Sequence, residues 1–144
     1  MTIYFELEQN PKGTAQMKGT AFQGGRIHHY EKKEVRELRN LYHHKIFTAL
    51  YKHKTLSPKY EGAVSLSVVF NYAIKDKKKW GHPKTSRPDC DNIVKLLLDV
   101  MTDLQFWNDD AQVAKLEVRK LYAEKPSIWI CVDEYETFGT EAVT

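Results

Sequence analysis

Hydrophobic and polar positions along this chain alternate or cycle in ways that predict most of its elements. Ile3, Phe5 and Leu7 alternate with polar neighbours over 2–8, the period-two pattern of a half-buried strand. The stretch 9–30 is polar and glycine-containing, and reads as a loop with at most a short strand or hairpin around Ala21. Val35, Leu38, Tyr42, Ile46, Ala49 and Leu50 recur at helical spacing, so a long amphipathic helix is expected over 31–53. Ser57, Pro58 and Gly62 break that pattern, and Val64, Leu66, Val68, Phe70 and Tyr72 alternate in a clear strand over 63–73. Over 91–101 nearly every residue is apolar. Val94, Leu97, Leu98 and Met101 form one helical face with Ile93 and Leu96 flanking it, which predicts a helix buried on most sides. Two strand-like runs, 113–123 and 127–135, surround Lys125 and Pro126 and are expected to pair as a hairpin.

Strand, helix, strand, helix and two strands make an α+β fold: a single small domain over 1–136, with a mixed β-sheet and helices packed on it. The stretch 137–144 is expected to be a flexible tail. A chain of 144 residues is long enough for one real core, and no internal repeat divides it. There is no apolar run of membrane-spanning length, and the alternating N-terminus is not a signal-peptide pattern, so a cytoplasmic protein without a membrane partner is expected. Cys90 and Cys131 lack metal-type spacing and read as reduced, buried thiols, which argues against zinc. Among the six histidines, His43, His44 and His53 fall on the polar face of the first helix, and none enters the candidate active set.

The candidate chemistry lies at the start of the second helix. Pro88 bars helical geometry just upstream, which places Asp89 in an extended approach and Asp91 at the helix start, where two carboxylates can converge on one point. Asp91, Lys95 and Asp99 stack along one edge of an otherwise greasy helix, and charges there are costly unless paired or bound to a metal. One reading is structural: Asp91 caps the helix and Lys95 pairs with Asp91 or Asp99 as a surface ladder. A second acidic pair, Asp109 and Asp110, follows Phe106 and Trp107 in a loop that can fold back toward Asp89 and Asp91. Capping alone accounts poorly for two acidic pairs around one buried helix. Carboxylate oxygens completed by waters and a substrate phosphate are what Mg²⁺ requires.

The run Arg87-Pro-Asp-Cys-Asp-Asn-Ile-Val-Lys95, continued by Leu-Leu-Leu-Asp99 and then by Phe106-Trp-Asn-Asp-Asp-Ala-Gln-Val113, resembles the signature of the RusA family of Holliday-junction resolvases, small nucleases of prophages and bacteria. The likeness is close over 87–113 and loose elsewhere. It implies a RusA-like fold and a catalytic set of Asp89, Asp91, Lys95 and Asp110. It also implies Mg²⁺ as cofactor, held by Asp89, Asp91 and Asp110 with Asp109 beside them, and cleavage that leaves a 5′-phosphate and a 3′-hydroxyl. Asp109 and Asp99 match acidic positions of less definite role, and Cys90 stands where the family more often has an aliphatic residue.

The segment from Lys75 to Arg87 leads straight into this acidic site. A lysine run is usually a solvated loop, yet cations so placed could hold phosphates on either side of the one being cut. Lys75, Lys77, Lys78, Lys79, Lys84 and Arg87 are therefore candidate DNA contacts, with Arg26 and Lys18 from the first loop. Trp80 could stack on an unpaired base or pack on the core. The net charge of +3 hides a split between an acidic pocket and a basic surround. These readings converge on a Mg²⁺-dependent endodeoxyribonuclease that resolves four-way junctions as a homodimer, since paired nicks require two sites. The dimer interface is expected on the 31–53 helix and the first strand. A nuclease for other branched DNA, a non-catalytic DNA-binding module and an interaction protein remain rival classes.

Overall fold

The computed structural model describes residues 1–12, 18–52 and 58–136. One strand, β4 (Val64–Ala73), organises the sheet, because Val64, Leu66, Val68 and Phe70 are all essentially inaccessible and so apolar a strand needs both edges covered. On one side β6 (Ser127–Glu134) runs antiparallel to it, with Val68 opposite Ile130. On the other side β5 (Val113–Ala123) runs parallel to it, with Val68 opposite Val118. β1 (Ile3–Leu7) closes the far edge against β6, giving the order β1-β6-β4-β5.

The mixed sheet is as expected, but the 113–123 and 127–134 strands are not a hairpin: β4 lies between them. The physical reason is in their patterns. β5 carries Lys115, Glu117, Arg119 and Lys120 and has no fully buried residue, so it belongs at an edge, while the more apolar β4 takes the centre. Glu124, Lys125 and Pro126 only have to pass over the end of one strand, a span of about 10 Å that three residues cover.

The hairpin considered around Ala21 is present and complete, β2 (Lys18–Gln23) and β3 (Arg26–Glu31) pairing antiparallel in a stretch otherwise read as loop. Gly24 and Gly25 form its two-residue turn at φ +60° and +77°, a left-handed pair that only glycine adopts without strain.

Two helices lie on one face of the sheet. α1 (Lys33–Lys52) buries Val35, Leu38, Tyr42, Ile46 and Leu50, and α2 (Cys90–Asp103) buries Ile93, Val94, Leu96, Leu97, Val100 and Met101. They meet Ile3, Phe5 and Leu7 of β1 and the inward rows of β4 and β6 in a single core. Burying the six α2 side chains is worth on the order of 10 kcal/mol before ordering entropy is subtracted, so Leu97→Ala should cost about 3 kcal/mol. Arg39 of α1 reaches Asp99 and Asp103 of α2, at 3.8 Å each, and ties the helices across their polar rims. The inward faces of α1 and β1 are taken up by the chain's own core, so a dimer interface on these elements would use their outward faces, where β1 leaves Tyr4 exposed. Among described residues, what α1 leaves exposed is Leu41, Phe47 and Tyr51. No helix among the described residues is long and apolar enough to cross a membrane, and Cys90 and Cys131 are unbridged thiols.

Candidate active site

α2 begins directly after Pro88 and Asp89, so the cap position read for Asp91 falls to Asp89 and Asp91 lies inside the first turn. Asp89 is its N-cap residue, extended at φ −74° and ψ 151°, and its carbonyl accepts from the amides of Asn92 and Ile93 at 3.1 Å each. Its side chain makes no capping hydrogen bond, although an aspartate at this position ordinarily does. The carboxylate is exposed and aimed elsewhere. Asp91 lies in the first helical turn, and both it and Lys95, one turn on, are exposed. Among the described residues no ion pair joins Lys95 to Asp91, and the ion pair seen at Asp99 goes to Arg39, so a ladder does not explain these charges. The positive end of the α2 dipole also points at this spot, which favours a bound phosphate.

The approach to Asp89 is laced to the outer edge of β5. Gly81 donates its amide to the Tyr122 carbonyl at 2.8 Å, Tyr122 to His82 at 3.0 Å, and Lys84 to Lys120 at 2.9 Å. Beyond Lys84 the Lys120 ammonium takes over, donating to the carbonyls of Ser86 and Pro88 at 2.8 Å each. The Cys90 thiol completes the series on the Val118 carbonyl at 3.9 Å. The Arg87–Pro88 peptide between these anchors is cis. Lys120 was not singled out from the sequence, and the available signal was a lysine in an inward-facing row of a strand.

The second acidic pair is held differently. α2 ends in a Schellman motif: Gln105 takes a left-handed φ of +61° and the Phe106 amide donates to the Met101 carbonyl at 3.1 Å. That turn drives Phe106 and Trp107 into the core, where the Trp107 indole N–H donates to the Thr102 hydroxyl at 2.8 Å. Asp109 then caps the 3₁₀ turn Asp110–Gln112, accepting from the Ala111 amide at 2.9 Å. Gln112 receives the amides of Asn108 and Asp109 at 2.8 and 3.2 Å and donates to the carbonyls of Tyr60 and Gly62 at 2.9 and 3.0 Å. Asp110 is exposed on this fixed turn. The turn precedes Val113, whereas Cys90 meets β5 at Val118, a separation of about 15 Å of strand. Accordingly, among the described residues no group of three or more acidic, histidine or cysteine side chains stands ready to hold a metal within one chain. Asp89 and Asp91 share one end of α2. Gln112 pins the turn of Asp109 and Asp110 to the segment before β4, and the two acidic pairs form no preorganised group of three ligands.

The cations are distributed unevenly. Lys77, Lys78 and Lys79 form a short 3₁₀ turn capped by Asp76, which accepts from the Lys78 amide at 3.1 Å, and all three are exposed with Lys75 and Arg87. Lys84 is engaged instead: its ammonium lies 5.2 and 5.9 Å from the ring centres of Tyr72 and Tyr122 and hydrogen-bonds the Ser86 hydroxyl. Trp80 is half-buried, its indole N–H donating to the Ile74 carbonyl at 2.9 Å. Arg26 is exposed at the hairpin tip, while the side chain of Lys18 lies outside the described residues, as do His53 and the 137–144 tail. Burial pushes the Tyr72 hydroxyl beneath the site up to about 12, so it stays protonated and cannot serve as a general base.

Residues 8–133 match the family described as Endodeoxyribonuclease RusA. The chain belongs to the RusA endodeoxyribonuclease family. It is 40% identical over 130 residues, 90% of this chain and 95% of the other, to the crossover junction endodeoxyribonuclease rusA of Lactococcus phage r1t. It is also 40% identical to the protein YqaN of Bacillus subtilis (strain 168) over 50 residues, 35% of this chain and 34% of that one. The family match spans every element from β2 to β5 and nearly all of β6, so the RusA likeness first carried by 87–113 extends over both helices and every strand but β1.

Proposed function

We propose that this RusA-family chain is a Mg²⁺-dependent, structure-selective endodeoxyribonuclease that resolves four-way DNA junctions by paired nicks. The observation that carries the reading is the pair Asp89 and Asp91: two exposed carboxylates at the positive end of a buried helix, the first forgoing the cap bond its position offers. The donor set suits Mg²⁺, which takes one or two carboxylates and completes its shell with water and substrate phosphate, so a preformed group of three is not required. Asp89 and Asp91 would hold the ion, with Asp110 contributing from the second acidic turn when the substrate phosphate is bound and Asp109 acting through the cap that presents it. Once bound, the ion supplies Lewis acidity at the scissile phosphate.

The chain's own groups supply the rest. Lys95, one turn from Asp91, offsets charge building on the phosphate. Lys75, Lys77, Lys78, Lys79 and Arg87 grip neighbouring phosphates, with Arg26 reaching from the hairpin tip. Lys84, held between two tyrosine rings, acts mainly by ordering the approach. Productive resolution needs two like sites, so the working form is a homodimer.

Incubation with a synthetic four-way junction and a matched linear duplex, with and without Mg²⁺, tests the reading. Symmetrical nicks are expected only in the junction and only with the metal. Equal cutting of the duplex would remove the structure selectivity, and binding without cutting would favour a non-catalytic module. Light scattering at micromolar concentration should report about twice the 16.8 kDa chain mass.

A further inference from the structure

Lys120 violates the pattern of its own strand. On β5 the positions 118, 120 and 122 stand in register with Val68, Phe70 and Tyr72 of β4, the row that faces the helices. Val118 packs against the core and Phe70 is fully buried, so position 120 calls for an apolar side chain. A lysine there is desolvated in part, a cost recovered only if its donors are satisfied. Two of its three donors are, and in one particular place: the carbonyls of Ser86 and Pro88, 2.8 Å each, which bracket Arg87 and end at the peptide that enters Asp89.

We propose that Lys120 is a positioning residue for the nuclease site, an ammonium clamp that fixes the plane of the Pro88–Asp89 peptide and so aims the Asp89 carboxylate. The inference rests on the nuclease reading above for its catalytic consequence, but the clamp itself is structural. Asp89 is held on its far side by the first turn of α2, whose Asn92 and Ile93 amides donate to the Asp89 carbonyl at 3.1 Å. On its near side, proline has no amide with which to continue the ladder that joins 81–84 to β5. Lys120 extends that ladder from the partner strand. With both flanking peptides fixed, the Cα–Cβ direction of Asp89 is set without using its side chain, and the carboxylate stays available for a ligand. A cap bond could have fixed the residue equally well, but it would have consumed a carboxylate oxygen.

The test compares Lys120→Met, which keeps the stem and removes the donors, with Lys120→Arg, which keeps both charge and donors. Amide exchange, read without metal or DNA, should quicken about 10-fold over Ser86–Ile93 in Lys120→Met while β4 and β6 stay protected. In the same variant kcat on a four-way junction should fall by about 10-fold or more, the usual effect of losing a supporting partner. KM should stay within about 3-fold. Lys120→Arg should restore both. If Lys120→Met exchanges faster everywhere, Lys120→Gln, which retains one donor group, should show the local effect in weaker form. Unchanged exchange over Ser86–Ile93 would overturn the clamp. Faster exchange with an unchanged kcat would overturn its positioning role, and a raised KM at full kcat would make Lys120 a phosphate contact instead. A wild-type protein that cuts no junction while the exchange results hold would sink the nuclease reading and leave the clamp standing.

Discussion

Asp89 and Asp109 occupy the same local position, the N-cap of a helical turn with extended backbone, at φ −74°, ψ 151° and φ −147°, ψ 138°. Asp109 uses its carboxylate as the position suggests, accepting from the Ala111 amide within a reciprocal box completed by Gln112. Asp89 does not, and its backbone is secured instead by Lys120 and by the turn that follows. A cap is worth about 1 kcal/mol. A chain that forgoes it at one aspartate and takes it at the other has assigned the two carboxylates different work. The first is left open to a ligand, and the second holds up the turn that presents Asp110.

The sharpest way to break this contrast is to neutralise each open carboxylate. Asp89→Asn and Asp91→Asn are expected to lower junction cleavage by about 10³-fold with unchanged or tighter junction binding, because a lost ligand also removes repulsion of phosphate. Cleavage at the wild-type rate by both variants would show that the open carboxylates carry no chemistry. Lys95→Ala should follow at about 10²-fold in kcat; full activity would reduce Lys95 to surface charge.

Smaller effects sharpen the second region. Gln112→Ala removes four hydrogen bonds at once and should cost about 2 kcal/mol in urea unfolding, with cleavage falling because the Asp110 turn loosens. A fully stable, fully active variant would mean that turn needs no pin. Asp109→Ala should cost about 1 kcal/mol and Asp89→Ala less than about 0.5 kcal/mol, a difference that would vanish if Asp89 were an ordinary cap. Replacing Lys77, Lys78 and Lys79 by Ala should leave kcat at saturating DNA nearly untouched. It should flatten the salt dependence of binding by about one unit of slope per lost contact, and an identical slope would make the run a solvated turn.

Much of this molecule is legible from pattern alone. The inward rows Ile3, Phe5, Leu7 and Val64, Leu66, Val68, Phe70, and the helical stripes on α1 and α2, announce themselves because periodicity of two or 3.6 is a local consequence of burial on one face. The candidate residues Asp89, Asp91 and Lys95 are equally legible, since Pro88 dictates where a helix can start and an otherwise apolar helix leaves few reasons for charge. The 18–31 hairpin was only half readable, its strands being polar and its signal resting on Gly24 and Gly25.

Long-range partnership had to wait for the tertiary structure. Strand pattern does not say which neighbour a strand will choose, so the insertion of β4 between β5 and β6 follows only from the competition of all four strands for the buried centre. Nor does the spacing of four aspartates say how a 14-residue helix and a pinned turn will hold them. Most tellingly, Lys120 lies more than thirty residues from the carbonyls it binds. A sequence determines local geometry through sterics and burial that act over a few residues, whereas the hydrogen bonds that leave Asp89 open are made between segments that meet only once the sheet has closed.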